Sequence, residues 1–276
     1  MSNILFILFI LTLVFLALWV LKGFKFPKIG CLTLISGGVK TGKSTFSVAL
    51  ALREHKKRIR KVKFKNFFNR LFGKNIIELP LLYSNVPLAV PYVPLTNDLL
   101  LRKTRFVYGS VCYIQEASLV ADSQLIKDMN INTLLLLFNK LFGHSSKGGV
   151  CIYDTQTISD LHYSIKRSLS EYFYIYKLVK WIPFFLVAYV QENRYSEDGS
   201  VVTTLNGDVE DSNLKKVIIP KSTWKYFDCY CYSVLTDNLP VEKTVINNDL
   251  KTTDLKARDI LTFRKGGYTD IEKENS

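Results

Sequence analysis

The chain has 276 residues, 48% of them hydrophobic, and a formal net charge of +13 at pH 7; this exceeds a single small domain, yet one α/β domain with an appendage would use all of it. The cysteines, Cys31, Cys112, Cys151, Cys229 and Cys231, are odd in number and lack C-x-x-C spacing, and His55, His144 and His162 are not spaced as ligands, so no zinc site is expected and the thiols read as reduced. The cationic surplus favours anionic partners, lipid headgroups or nucleic-acid phosphates, through charge that salt weakens.

From Ile4 to Leu21 every residue except Thr12 is apolar, and eighteen residues at 1.5 Å rise give about 27 Å, close to the thickness of a hydrocarbon core. No charge precedes Ile4, and Trp19-Val20-Leu21 is a poor cleavage site, so an uncleaved single span is expected rather than a signal peptide. A buried hairpin helix of a soluble protein would show a polar face, which this run lacks. Lys22, Lys25 and Lys28 follow it and place the rest of the chain in the cytoplasm by the positive-inside bias.

Gly30 to Ile35 reads as a short buried strand, and Ser44 to Arg53 as a helix. Between them, Gly37-Gly38-Val39-Lys40-Thr41-Gly42-Lys43-Ser44 matches G-x-x-x-x-G-K-[ST] in full, in the strand-to-helix context that gives the motif meaning. Glycines let the backbone curl so that successive N–H groups face phosphate, and the helix N-terminus adds partial positive charge. The loop from Gly37 to Thr45 is thus expected to bind ATP, with Lys43 reaching the β and γ phosphates and Ser44 ligating Mg²⁺ through its hydroxyl.

Arg53 to Arg70 carries nine Lys or Arg side chains against Glu54 alone. This basic insertion, 53–74, continues the helix or forms a second one, with Phe64, Phe67, Phe68, Leu71 and Phe72 as an apolar stripe beside the lysines. Such a helix could lie on anionic lipid, touch DNA, or be only a solvated face.

Leu81 to Ser84 reads as a second strand in a Pro-punctuated stretch; Val107 to Ile114 and Gly149 to Tyr153 suit central parallel strands, and Thr133 to Leu141 a helix between them. The alternation argues for a doubly wound, mostly parallel α/β core. Phe184 to Val190 and Val201 to Thr204 suggest a β hairpin around a turn at Glu197 to Ser200, with the stretch too short for a second span. The organisation expected is an anchor at 1–28, a P-loop core at 29–180, a small β appendage at 181–240 that completes it, and a polar, loosely ordered tail at 241–276.

A phosphate-loop enzyme needs a carboxylate on a neighbouring strand end, to hold the metal or polarise water. In Val111-Cys112-Tyr113-Ile114-Gln115-Glu116 the usual Asp-Glu pair is Gln-Glu: Glu116 remains as the base, or caps the next helix, while Gln115 could hold a metal-bound water only weakly. Asp154 is an alternative metal carboxylate, and Gln156 could sense the γ-phosphate through its amide. Arg167 could stabilise phosphate charge in a neighbouring subunit. Surface or capping roles are the plain alternatives for these residues.

Several segments in order resemble the zonula-occludens-toxin-like (Zot) ATPases, the assembly proteins of filamentous phages (inoviruses). They are the phosphate loop, Leu82-Tyr83-Ser84-Asn85, Tyr113-Ile114-Gln115-Glu116-Ala117, Gly143-His144 through Gln156, Ile165-Lys166-Arg167 through Tyr174, and Ile219-Pro220-Lys221 through Asp228. The resemblance spans roughly Leu32 to Thr236, and only the phosphate loop is specific by itself. It implies a homo-oligomeric ATPase at the inner membrane of a bacterial host, driving export and assembly of single-stranded DNA virions with coat or assembly proteins. Two features depart from the family pattern: Gln115 stands where Asp is usual, and the anchor precedes the ATPase domain. Other readings are an FtsK/HerA-like packaging or conjugative translocase, or a nucleotide switch with little hydrolysis. A small-molecule kinase would not need the anchor and would show an Arg-rich lid, which does not follow the core.

Overall fold

The computed structural model describes residues 6–12, 26–95, 106–117, 138–139, 142–144, 146–159, 161, 163–195, 201–202, 214–227, 261–264 and 267–270. Most of the expected anchor lies outside these residues; 6–12 are helical and exposed, and no helix among the described residues is long and apolar enough to cross a membrane.

One large sheet carries the fold. Its order is β3 (Val93–Pro94), β2 (Leu82–Ser84), β4 (Val111–Ile114), β5 (Val150–Thr155), β1 (Leu32–Ser36), β6 (Glu171–Val179), β7 (Phe185–Tyr195) and β8 (Val201–Val202), with β9 (Leu214–Pro220) also pairing β7. The ladders from β3 to β6 are parallel; β7 joins antiparallel, as do β8 and β9. Strands β7 to β9, which fall within the expected appendage at 181–240, continue the central sheet. A hairpin of β10 (Leu261–Arg264) and β11 (Gly267–Asp270) lies within the tail expected to be loosely ordered.

Strand periodicity sorts side chains to two faces. Val111 and Tyr113 of β4, and Val150 and Ile152 of β5, join Phe46, Val48 and Leu50 of helix α1 (Lys43–Leu71) in one core. Cys112, Ile114, Cys151 and Tyr153 face the other side, with Phe106, Phe138, Phe142 and Ile165. By the same alternation Asp154 and Gln115 fall on the α1 side. Helix α1 is one unbroken element of 29 residues, about 43 Å long, which settles the choice between one helix and two. Only its first third packs on the sheet: after Leu52 its sole buried residue is Asn66. The helix expected at Thr133 to Leu141 falls mostly outside the described residues, though 138–139 and 142–144 are helical. A short helix α2 (Tyr163–Ser168) and a 3-10 turn, η1 (Lys221–Tyr226), complete the described elements used below.

Candidate active site

The phosphate loop leaves β1 at Ser36, whose hydroxyl shares a 2.6 Å hydrogen bond with that of Tyr172 on β6. It turns tightly at residues 38–41, where the Thr41 amide and hydroxyl both donate to the Gly38 carbonyl, so the Thr41 N–H expected to meet phosphate is used in forming the loop. Lys40 and Gly42 adopt left-handed φ of 62° and 90°. At Gly42 a Cβ would lie 2.5 Å from Cδ2 of Leu178, and at Gly37 one would lie 2.9 Å from the Ile175 carbonyl oxygen, so β6 seats the loop against glycine backbone.

Gly42 is also the N-cap of α1. It makes no side-chain cap, and the first turn has no acidic residue. The first N–H groups of a helix have no intrahelical partner, so those at the start of α1 present donors and partial positive charge to the loop's hollow. Ser44 lies in this turn. The Thr45 hydroxyl instead accepts a 3.2 Å hydrogen bond from the indole of Trp224 on η1. Val39 is exposed on the rim.

Three charged groups converge beneath. The Lys43 ammonium, 6% exposed, donates to Glu116 Oε1 at 2.7 Å and lies 3.6 Å from Asp154 Oδ1. Asp154 is wholly buried; it accepts from the Glu116 amide at 2.9 Å and the Tyr113 hydroxyl at 2.8 Å. Burial raises its pKa above the ordinary 3.8, while Lys43 and the Glu116 amide pull it down. Tyr113 is pushed well above the usual tyrosine value, first by burial and then by the charge of Asp154, so it acts as a donor. The Gln156 amide reaches Glu116 Oε1 at 3.4 Å.

Glu116 comes from a strand that is not adjacent to β1, since β5 lies between β1 and β4. Its φ of 48° is left-handed for a residue with a side chain, a strain of about 1–3 kcal/mol that surrounding structure must hold. The hold is visible on both sides. Asn85, after β2, clamps Gln115 by donating to its carbonyl at 3.0 Å and accepting from its amide at 2.8 Å, and Asp154 takes the next amide.

The site thus unites Lys43, Glu116, Asp154 and Gln156. Gln115 makes no side-chain hydrogen bond to these groups: it is buried, with Oε1 unpartnered among the described residues. Arg167 stands exposed on α2 and takes no part in the cluster. Asp154, read as a metal carboxylate, is first a brace for Lys43 and Glu116. Residues that local reading missed are Tyr113, Trp224 and Leu178, whose roles depend on strand register. Asn85 was visible as part of a family pattern only.

The likeness to a zonular occludens toxin domain returns among solved structures. The N-terminal domain of zonular occludens toxin from Neisseria meningitidis aligns over 73% of this chain and 100% of its own, at 13% identity and a TM-score of 0.43. The genome packaging NTPase B204 of Sulfolobus turreted icosahedral virus 2, in complex with ATP-gammaS, covers 62% of this chain and 94% of its own at 10% identity and TM-score 0.30. Flagellar accessory protein FlaH from Methanocaldococcus jannaschii covers 70% and 85% at 13% identity and TM-score 0.29. No family model and no curated protein matches the sequence.

Proposed function

We propose that the chain is a membrane-tethered ATPase that couples turnover of ATP to export and assembly of a single-stranded DNA–protein filament at the inner membrane of a bacterial host. The observation that carries the ATPase reading is the meeting of Lys43, Glu116 and Asp154 under an uncapped helix N-terminus. Two carboxylates against one ammonium leave the cluster short of positive charge, and the Ser44 hydroxyl stands in the first turn of α1; with ATP bound, Ser44 would hold Mg²⁺ through its hydroxyl, and Asp154 would add negative charge nearby. Mg²⁺ would offset charge on the β and γ phosphates.

A triphosphate in the loop competes with Glu116 for the Lys43 ammonium. As Lys43 turns to phosphate, Glu116 Oε1 is released to orient water and accept its proton, and the Gln156 amide, already beside that oxygen, is placed to follow the change. Asp154 supplies from β5 the buried negative charge that Gln115 does not.

Phosphate release by the full chain in lipid, with and without single-stranded DNA, tests the reading. Glu116→Gln should still bind ATP but lose turnover, and DNA should stimulate the parent in a salt-sensitive way. ATP binding without wild-type turnover would favour the switch, a reading supported by Gln115 standing where the family pattern has Asp. Stimulation by double-stranded DNA alone would favour a packaging or conjugative translocase.

A further inference from the structure

We infer that the distal half of α1 is a docking arm for an anionic bilayer, with Phe64, Phe67, Phe68, Leu71 and Phe72 entering the interface while neighbouring cations meet lipid phosphates. This deepens the membrane part of the proposed function and is independent of its nucleotide site.

The arm is a built structure. From Arg53 to Leu71 the helix runs about 28 Å, and the chain returns along it. Asn66 donates to the Ile77 carbonyl at 2.7 Å and accepts from the Ile77 amide at 2.8 Å; Asn69 donates to the Asn75 carbonyl at 2.9 Å, and the Lys74 amide donates to the Asn69 carbonyl at 2.7 Å. His55 Nε2 lies 3.1 Å from the Pro80 carbonyl oxygen at the base. These bonds support the helix where it has left the sheet.

The tip presents its apolar side chains outward. Phe64, Phe67, Phe68, Leu71 and Phe72 are 68%, 64%, 39%, 68% and 67% exposed, spaced as one helical stripe, with Phe68 set edgewise to Phe64 and Phe67 at ring separations of 4.9 and 5.5 Å. Contiguous exposed apolar surface signals an interaction site. Charge selects the occupant: between residues 55 and 77 there is no Asp or Glu, while Lys61, Lys63, Lys65, Arg70 and Lys74 are interspersed with the stripe in sequence and exposed. A second copy would bring the same positive field and be repelled. An anionic interface satisfies both features, since aromatic rings partition at the headgroup boundary and lysine stems reach from apolar surface to phosphate.

The test is tryptophan fluorescence of full-length Phe67→Trp, taken as the difference from the parent, after reconstitution into phosphatidylcholine vesicles with or without about one-third phosphatidylglycerol. Emission should be blue-shifted and quenched by bromine on the acyl chains in the anionic vesicles. Lys63→Gln and Lys65→Gln should each weaken docking about fivefold. Emission unchanged between neutral and anionic vesicles overturns the proposal. So does a blue shift that bromine does not quench, which would mark contact with protein, or one that needs added single-stranded DNA. Because Phe67 is remote from the phosphate loop in sequence and packing, ATP affinity of the variant reports separately on the nucleotide reading.

Discussion

Replacing Asp154 with Asn should separate what this carboxylate does for catalysis from what it does for stability. The residue is wholly buried, and its oxygens take the Glu116 amide, the Tyr113 hydroxyl and the field of Lys43. Asn keeps one oxygen for the amide and sets an NH₂ against Tyr113, whose hydroxyl can rotate to accept. The loss is then the charge-assisted part of two hydrogen bonds, about 1–2 kcal/mol each. Against it stands relief from burying an ion, itself several kcal/mol. Burial raises the Asp154 pKa. A carboxyl with a raised folded pKa contributes stability below its unfolded value and loses it as pH climbs through the folded one. Ionised Asp154 therefore costs stability at neutral pH, and the parent should gain on the variant as pH falls toward the ordinary Asp range. We expect the net change at neutral pH to stay within about 2 kcal/mol, a shift of a few °C in unfolding midpoint. Turnover per folded site should fall on the order of 10²-fold or more, as when a preorganised charge is removed from a reaction centre. Thermal unfolding at two pH values, paired with phosphate release, reads both. A variant that unfolds readily while its folded fraction turns over at the parental rate would refute the assignment and leave Asp154 a structural residue.

Gly42→Ala must adopt a φ of 90° and meet Leu178 Cδ2 at 2.5 Å and Cβ at 2.6 Å; about 2–3 kcal/mol of stability should be lost in denaturant titrations, and Leu178→Ala should return only a fraction of it, because the clashing Cβ and the left-handed φ both remain. Asn85→Ala leaves both backbone groups of Gln115 without their side-chain partner; destabilisation of about 2–4 kcal/mol is expected, with slower turnover because the Glu116 turn loosens. Trp224→Phe removes the bond to Thr45, costs about 1 kcal/mol, and should abolish any change in tryptophan emission on ATP addition; a full signal persisting in the variant would show that η1 does not sense the loop.

What could be read in the sequence was what short-range backbone chemistry encodes. Gly37 to Ser44 states its own curl, because glycine spacing and a following helix suffice, and Glu116 could be picked out as an acid ending an apolar run. Strand order could not be read that way. Nothing local says that β5 separates β1 from β4, or that this insertion brings Asp154 to within 3.6 Å of Lys43. The clamp of Asn85 on Gln115 and the contact of Trp224 with Thr45 span 30 and 179 positions, beyond any periodicity. The basic stretch left one helix or two open because lysine and phenylalanine spacing persists through it; the chain runs there as a single helix, and the bonds from Asn66 to Ile77 tie the following segment back to it. Arg167 has the chemistry to meet phosphate charge, and its exposed position on α2 leaves it outside the cluster within one chain.

The central claim is that amides at the start of α1 and the Lys43 ammonium form a cup for triphosphate. Titration calorimetry of the full chain with Mg²⁺·ATP measures this directly: one site per chain with micromolar or tighter affinity, weakened at least tenfold in Lys43→Ala, is the predicted result. Absence of binding in the parent, or equal affinity in both proteins, would contradict it.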